Sequence, residues 1–110
     1  MATSKEYLEY IMGQLYALDE VSARMMMGEY LIYYRGKIVG GIYDGRMLVK
    51  DIPAARAYMP EASLQLPYEG AKPMLFVENT DNAEWFCGLF EAMYDELPAP
   101  KPRKPRKPKK

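Results

Sequence analysis

Apolar positions near the start of the chain recur at helical spacing. Leu8, Ile11, Met12, Leu15 and Leu18 follow one another at three- and four-residue steps, which predicts a helix over Thr3–Leu18 with one buried face. Thr3 and Glu6 have the spacing of a capping box, in which hydroxyl and carboxylate satisfy each other's backbone N–H groups. Gly13 weakens such a helix by about 1 kcal/mol relative to alanine, and its missing Cβ suits close packing against a sheet.

From Glu29 the period changes. Tyr30–Tyr34, Lys37–Tyr43 and Arg46–Lys50 are runs rich in β-branched and aromatic residues. Asp44-Gly45 separates the last two and Arg35-Gly36 the first two. Both pairs suit a tight hairpin whose central residues take positive φ, and Asp-Gly is the stronger signal. A three-stranded antiparallel meander follows. Gly40 and Gly41 fall mid-strand, where a bulge or a close backbone approach is expected.

Ile52-Pro53 opens a short helix that runs to Tyr58 and ends before Pro60. Leu64–Leu66 and Met74–Val77 are two further strands, punctuated by Pro67, Gly70 and Pro73 as edge or kinked strands are. A second long helix is predicted over Asp81–Leu97, capped by Asp81 with Glu84 three residues on. Phe86, Leu89, Phe90, Met93 and Leu97 form its buried stripe, with Trp85 beside it. The element order is α-β-β-β-α-β-β-α. It predicts an α+β fold, a two-layer α/β sandwich with the long helices on one face of an antiparallel sheet.

Composition sharpens this picture. With 49% hydrophobic residues, a chain of 110 residues supports a single packed core. The net charge of zero hides a partition: residues 1–100 hold eight Lys/Arg against fifteen Asp/Glu, a net of −7, and residues 101–110 hold seven Lys/Arg and no acid, a net of +7. The expected organisation is a folded domain over residues 1–97 and a disordered basic, proline-rich tail over 98–110.

The chain has no histidine and one cysteine, Cys87. An internal disulfide, a Cys/His zinc site and a Ser-His-Asp or Cys-His catalytic arrangement are therefore excluded, and no cofactor or enzymatic activity is expected. No apolar run approaches the ~20 residues of a membrane helix, and the N-terminus lacks the apolar segment of a secretory signal. A cytoplasmic protein that does not contact membranes is expected. Met25-Met26-Met27 reads as adaptable packing beneath the sheet rather than a soft-metal site. The tyrosines at 30, 33, 34, 43, 58 and 68 read as half-buried sheet packing, because the acidic body repels the phosphates that base stacking would bring. Asp19/Glu20 and Asp95/Glu96 are adjacent pairs and read as solvated helix ends. Cys87, beside Phe86, reads as a buried and inert thiol.

The tail is the most specific feature. Lys101, Arg103, Lys104, Arg106, Lys107, Lys109 and Lys110 are spaced by a proline at every third position, which favours an extended cationic arm. If all its charges met phosphates on duplex DNA, the salt slope of binding would approach about −6. Contact with nucleic acid or an acidic protein is one reading of this arm. A solubilising tail, or one folded back on the acidic domain, is the other.

The segment Arg24-Met25-Met26-Met27-Gly28-Glu29 through Tyr30-Leu31-Ile32-Tyr33-Tyr34, the turns Arg35-Gly36 and Asp44-Gly45, and the strand ending Met47-Leu48-Val49-Lys50 resemble the N-terminal domain of the TfoX/Sxy family. The likeness runs over residues 5–97, with Met26 and Glu29 where the family has Phe and a second Gly. The resemblance implies an α-β(3)-α-β(2)-α fold similar to type III secretion chaperones. It also implies kinship with bacterial regulators of natural competence and supplies no catalytic residues. The expectation is a stand-alone domain of that kind, a non-enzymatic binding or transcription-regulatory protein without the family's helical second domain. A protein- or peptide-binding adaptor, acting through the sheet or a helix face as a monomer or a homodimer, is the alternative.

Overall fold

The computed structural model describes residues 4–97. The elements are α1 (Lys5–Gln14), β1 (Val21–Met26), β2 (Glu29–Tyr34), β3 (Lys37–Tyr43), β4 (Arg46–Val49), α2 (Pro53–Tyr58), β5 (Leu64–Gln65), β6 (Met74–Phe76) and α3 (Ala83–Tyr94). The strands form one six-stranded sheet in the order β1-β2-β3-β4-β6-β5, and every neighbouring pair is antiparallel. The α+β class and the antiparallel sheet are as the sequence predicts.

The sheet has one strand more than predicted. Val21–Met26 pairs along its whole length with β2, from Val21↔Tyr34 to Met26↔Glu29. Three consecutive hairpins therefore share one turn chemistry. Met27-Gly28 (φ 53° and 83°), Arg35-Gly36 (52° and 84°) and Asp44-Gly45 (54° and 72°) each place both central residues at positive φ, the type I′ condition. Met25, Met26 and Met27 form the exposed end of the first hairpin, at 64, 39 and 92% exposure, and do not fill space beneath the sheet.

Cross-strand partners share a face, so the register sorts the side chains. Tyr30, Ile32, Tyr34, Val39, Ile42, Met47, Val49, Leu75 and Val77 face the helices. With Ile11, Leu15 and Leu18 from the α1 region and Phe86, Leu89, Phe90 and Met93 from α3 they make one core cluster. The register of β2 against β3 slips between Ile32 and Tyr33, leaving Val39 as the extra residue of a bulge. The slip turns both Val39 and Gly40 inward and keeps Lys37 on the helix side. There Lys37 donates to the Tyr94 carbonyl at 2.9 Å, and its ammonium lies 4.0 Å from the Tyr94 ring centroid.

The caps sit one residue from the predicted ones. Ser4 accepts from Tyr7 N at 3.1 Å to start α1, and Asn82 accepts from Trp85 N at 3.1 Å to start α3. Thr3, the predicted first cap, lies outside the described residues. Gly13 makes no close approach to the sheet: outside its chain neighbours and its own helix backbone, a Cβ there meets no atom within 4 Å. Chain geometry past Gln14 is tighter than α, with Tyr16 N donating to Gly13 O and Leu18 N to Leu15 O. Helix α2 sits against α3 through the Tyr58 hydroxyl, which donates to the Trp85 carbonyl at 3.0 Å directly over Gly88.

Candidate interaction surfaces

The sheet face turned away from the helices is partly covered. Tyr43 and Leu48 point outward, yet they are only 5% and 0% exposed and stand outside the main core cluster. The connection from β5 to β6 folds over Tyr43. Arg46 holds it there: Nη1 donates to Gln65 Oε1 at 2.8 Å, Nη2 to the Leu66 carbonyl at 3.1 Å and Nε to the Tyr43 carbonyl at 3.2 Å. The Tyr43 and Tyr68 rings meet at 6.2 Å. Burial, followed by the neighbouring Tyr68 and Glu29, pushes the Tyr43 hydroxyl up from its ordinary pKa.

Between this strap and the sheet lies an open cleft of about 580 Å³, lined by Ile38, Tyr43, Lys50, Tyr68, Lys72 and Met74 among others. Its lining carries two lysines against one carboxylate, Asp51, which already pairs with Arg56, together with two tyrosines and apolar side chains, and suits an elongated partner carrying acidic or carbonyl groups. The sequence reading missed this cleft, because it arises from the fold of residues 66–73 over the sheet. Arg46 after an Asp-Gly turn carries no local signal of its clamping role.

The tyrosines do not form an exposed stacking platform. Tyr30, Tyr34 and Tyr43 are buried, Tyr33 and Tyr58 half-buried, and Tyr68 is 58% exposed. Of the carboxylate pairs, Glu96 does more than end a helix: its Oε1 accepts from Ala54 N at 2.9 Å and caps α2, whose own Ile52 has no side chain to do so. Cys87 is 7% exposed, its thiol donates to the Gln14 carbonyl at 3.5 Å, and burial pushes its pKa up, opposite to what a nucleophilic thiolate needs. Among the described residues no three His, Cys, Asp or Glu side chains cluster to hold a metal ion. No helix among them is long and apolar enough to cross a membrane.

The second surface is the outer edge of β1. β1 has β2 as its one strand neighbour among the described residues, and it ends in the exposed methionines of the first hairpin. The opposite edge strand, β5, is only two residues long. The seven basic tail residues, Lys101, Arg103, Lys104, Arg106, Lys107, Lys109 and Lys110, lie outside the described residues.

A family model described as the TfoX N-terminal domain matches residues 13–87. The chain is 34% identical over 105 residues to an uncharacterized 12.7 kDa protein in the trpE 5′ region of Spirochaeta aurantia, covering 94% of this chain and 91% of that one. No solved structure matches. On the match over residues 13–87, the chain belongs to the TfoX N-terminal domain family.

Proposed function

We propose that this protein is a non-enzymatic cytoplasmic regulatory module with divided labour: the folded domain binds a protein partner and the basic tail contacts nucleic acid. The observation that carries the reading is the charge partition, −7 over residues 1–100 and +7 over residues 101–110. An acidic domain repels phosphate, so polyanion contact falls to the tail residues Lys101, Arg103, Lys104, Arg106, Lys107, Lys109 and Lys110. Membership of the TfoX N-terminal domain family supports a regulatory rather than a catalytic role. Kinship with the competence-regulator family supports reading that regulation as transcriptional.

Truncation after Leu97 tests this. The full chain should shift a labelled DNA duplex at low salt and the truncated chain should not. Binding that survives truncation assigns the contact to the domain, and a full chain that never binds removes nucleic acid from the proposal.

A second reading is favoured by the strap cleft. Lys50 and Lys72 flank an apolar floor of peptide-sized dimensions, which suits an adaptor for an acidic peptide segment with the tail only solubilising. Reversing these charges with Lys50→Glu and Lys72→Glu should abolish capture of such a partner in that case and leave DNA binding by the tail unchanged.

A further inference from the structure

The two ends of the sheet are managed differently. Edge strands are usually shortened, bulged, charged or covered, because unpaired backbone groups recruit other strands. β5 is shortened to two residues. β1 runs for six residues, Val-Ser-Ala-Arg-Met-Met, with no proline, an unbroken register against β2 and Arg24 as its single charge.

The hydrogen-bond alternation of β1 is fixed at both ends. Arg35 N donates to the Glu20 carbonyl at 2.9 Å, and the two-residue turn at Met27-Gly28 makes Met26 and Glu29 an exchanging pair. Glu20, Ser22, Arg24 and Met26 therefore spend their backbone groups on β2. Val21, Ala23 and Met25 direct theirs to the open edge. These same three residues carry their side chains on the helix side of the sheet, opposite Tyr34, Ile32 and Tyr30.

We infer that β1 pairs with β1 of a second copy of this chain, antiparallel about a two-fold axis through Ala23, joining two six-stranded sheets into one. The register is self-complementary. Ala23 meets Ala23, and Val21 meets Met25 in both directions, so all three outward-pointing residues exchange backbone bonds with an equivalent outward-pointing residue. On the helix side this sets valine against the exposed methionine. On the other side it sets Arg24 against Ser22. A register centred on Ser22 leaves Met25 unpaired within the strand, and one centred on Arg24 brings two guanidinium groups together. The contact is narrower than the ~800 Å² per partner of a standard stable interface, so the dimer should dissociate on dilution.

Sedimentation equilibrium of the full chain over a wide concentration range tests the pairing. The weight-average mass should rise from 12.7 kDa toward twice that value. Ala23→Pro removes an N–H that β2 does not use, so the hairpin keeps its ladder and the rise should be lost. Met25→Lys, at a position 64% exposed, should also lose it with an unchanged circular dichroism spectrum. Ser22→Glu tests the register in the other direction. It faces Arg24 of the second copy twice in the dimer and should lower the dissociation constant roughly fivefold, as two surface ion pairs do. A mass fixed at 12.7 kDa at the highest concentrations overturns the inference. So does a dimer that Ala23→Pro and Met25→Lys leave intact, or one that Ser22→Glu weakens.

Discussion

Gly40 lies so close to Leu48 on the neighbouring strand that a Cβ on the glycine would overlap the Leu48 carbonyl oxygen, and it would stand 2.6 Å from the Val49 Cα. Backbone, not a flexible side chain, occupies that space. The glycine sits beside the Val39 bulge of the β2–β3 register, while the β3–β4 ladder runs on past it, with Lys50 N donating to Val39 O at 2.9 Å. Gly40→Ala should therefore destabilise the fold by about 3 kcal/mol, at the upper end of ordinary overpacking, with a lowered urea midpoint and little change in slope.

Gly13 is the contrasting case. It sits in α1 and, outside its chain neighbours and its own helix backbone, no atom lies within 4 Å of where its Cβ would be. Gly13→Ala should stabilise the protein by about 0.5–1 kcal/mol through helix propensity and a smaller unfolded ensemble. The same urea titration should show a raised midpoint. Opposite signs for the two glycine substitutions would separate backbone crowding from backbone entropy.

Arg46 is the clamp between β4 and the strap. Arg46→Met keeps the aliphatic stem and removes the donors to Tyr43, Gln65 and Leu66. Global stability should fall by only ~1 kcal/mol, as part of this group faces water. Hydrogen exchange should report more strongly, with amides of residues 64–72 losing protection while those of β2 and β3 keep it.

Asp51 and Arg56 form a two-pronged pair, with Nη2 donating to Oδ2 at 2.8 Å and Nε to Oδ1. The Arg56 hydrogen bond holds the Asp51 carboxyl below its ordinary pKa. A carboxylate lowered in the folded state stabilises the fold above its unfolded pKa, and that contribution is lost as pH falls through the folded value. Asp51→Asn should therefore be slightly less stable than the parent near neutral pH. The gap should close in acid, and the closing should occur below the ordinary aspartate pKa of 3.8. Both side chains face solvent, so added salt should narrow the gap as well.

The parts of the fold that local chemistry dictates were legible in the sequence. Asp44-Gly45 and Arg35-Gly36 mark their turns because aspartate and glycine tolerate positive φ, and the stripe from Phe86 to Met93 marks α3 by period. β1 was hidden for two reasons. Its turn begins with Met27, a residue with no preference for φ 53°, and its side chains lack the apolar alternation of a half-buried strand because it lies at the sheet edge. The predicted caps were displaced by one residue, because Thr3 and Ser4, and likewise Asp81 and Asn82, are adjacent residues of equal capping chemistry. Of the candidate sites, the tail was legible as composition alone. The strap cleft depends on residues 66–73 crossing the outer face and on Arg46 reaching Gln65, relationships that no local pattern encodes.

The division between an acidic domain and a cationic tail is tested most directly by the salt dependence of DNA binding. Fluorescence anisotropy with a labelled duplex, repeated across a series of salt concentrations, yields the slope of log K against log salt. The full chain should give a slope approaching about −6, the value for seven neutralised phosphates, and a chain ending at Leu97 should show no measurable binding. A slope near zero, or the same slope with and without residues 98–110, would contradict the assignment of polyanion contact to the tail.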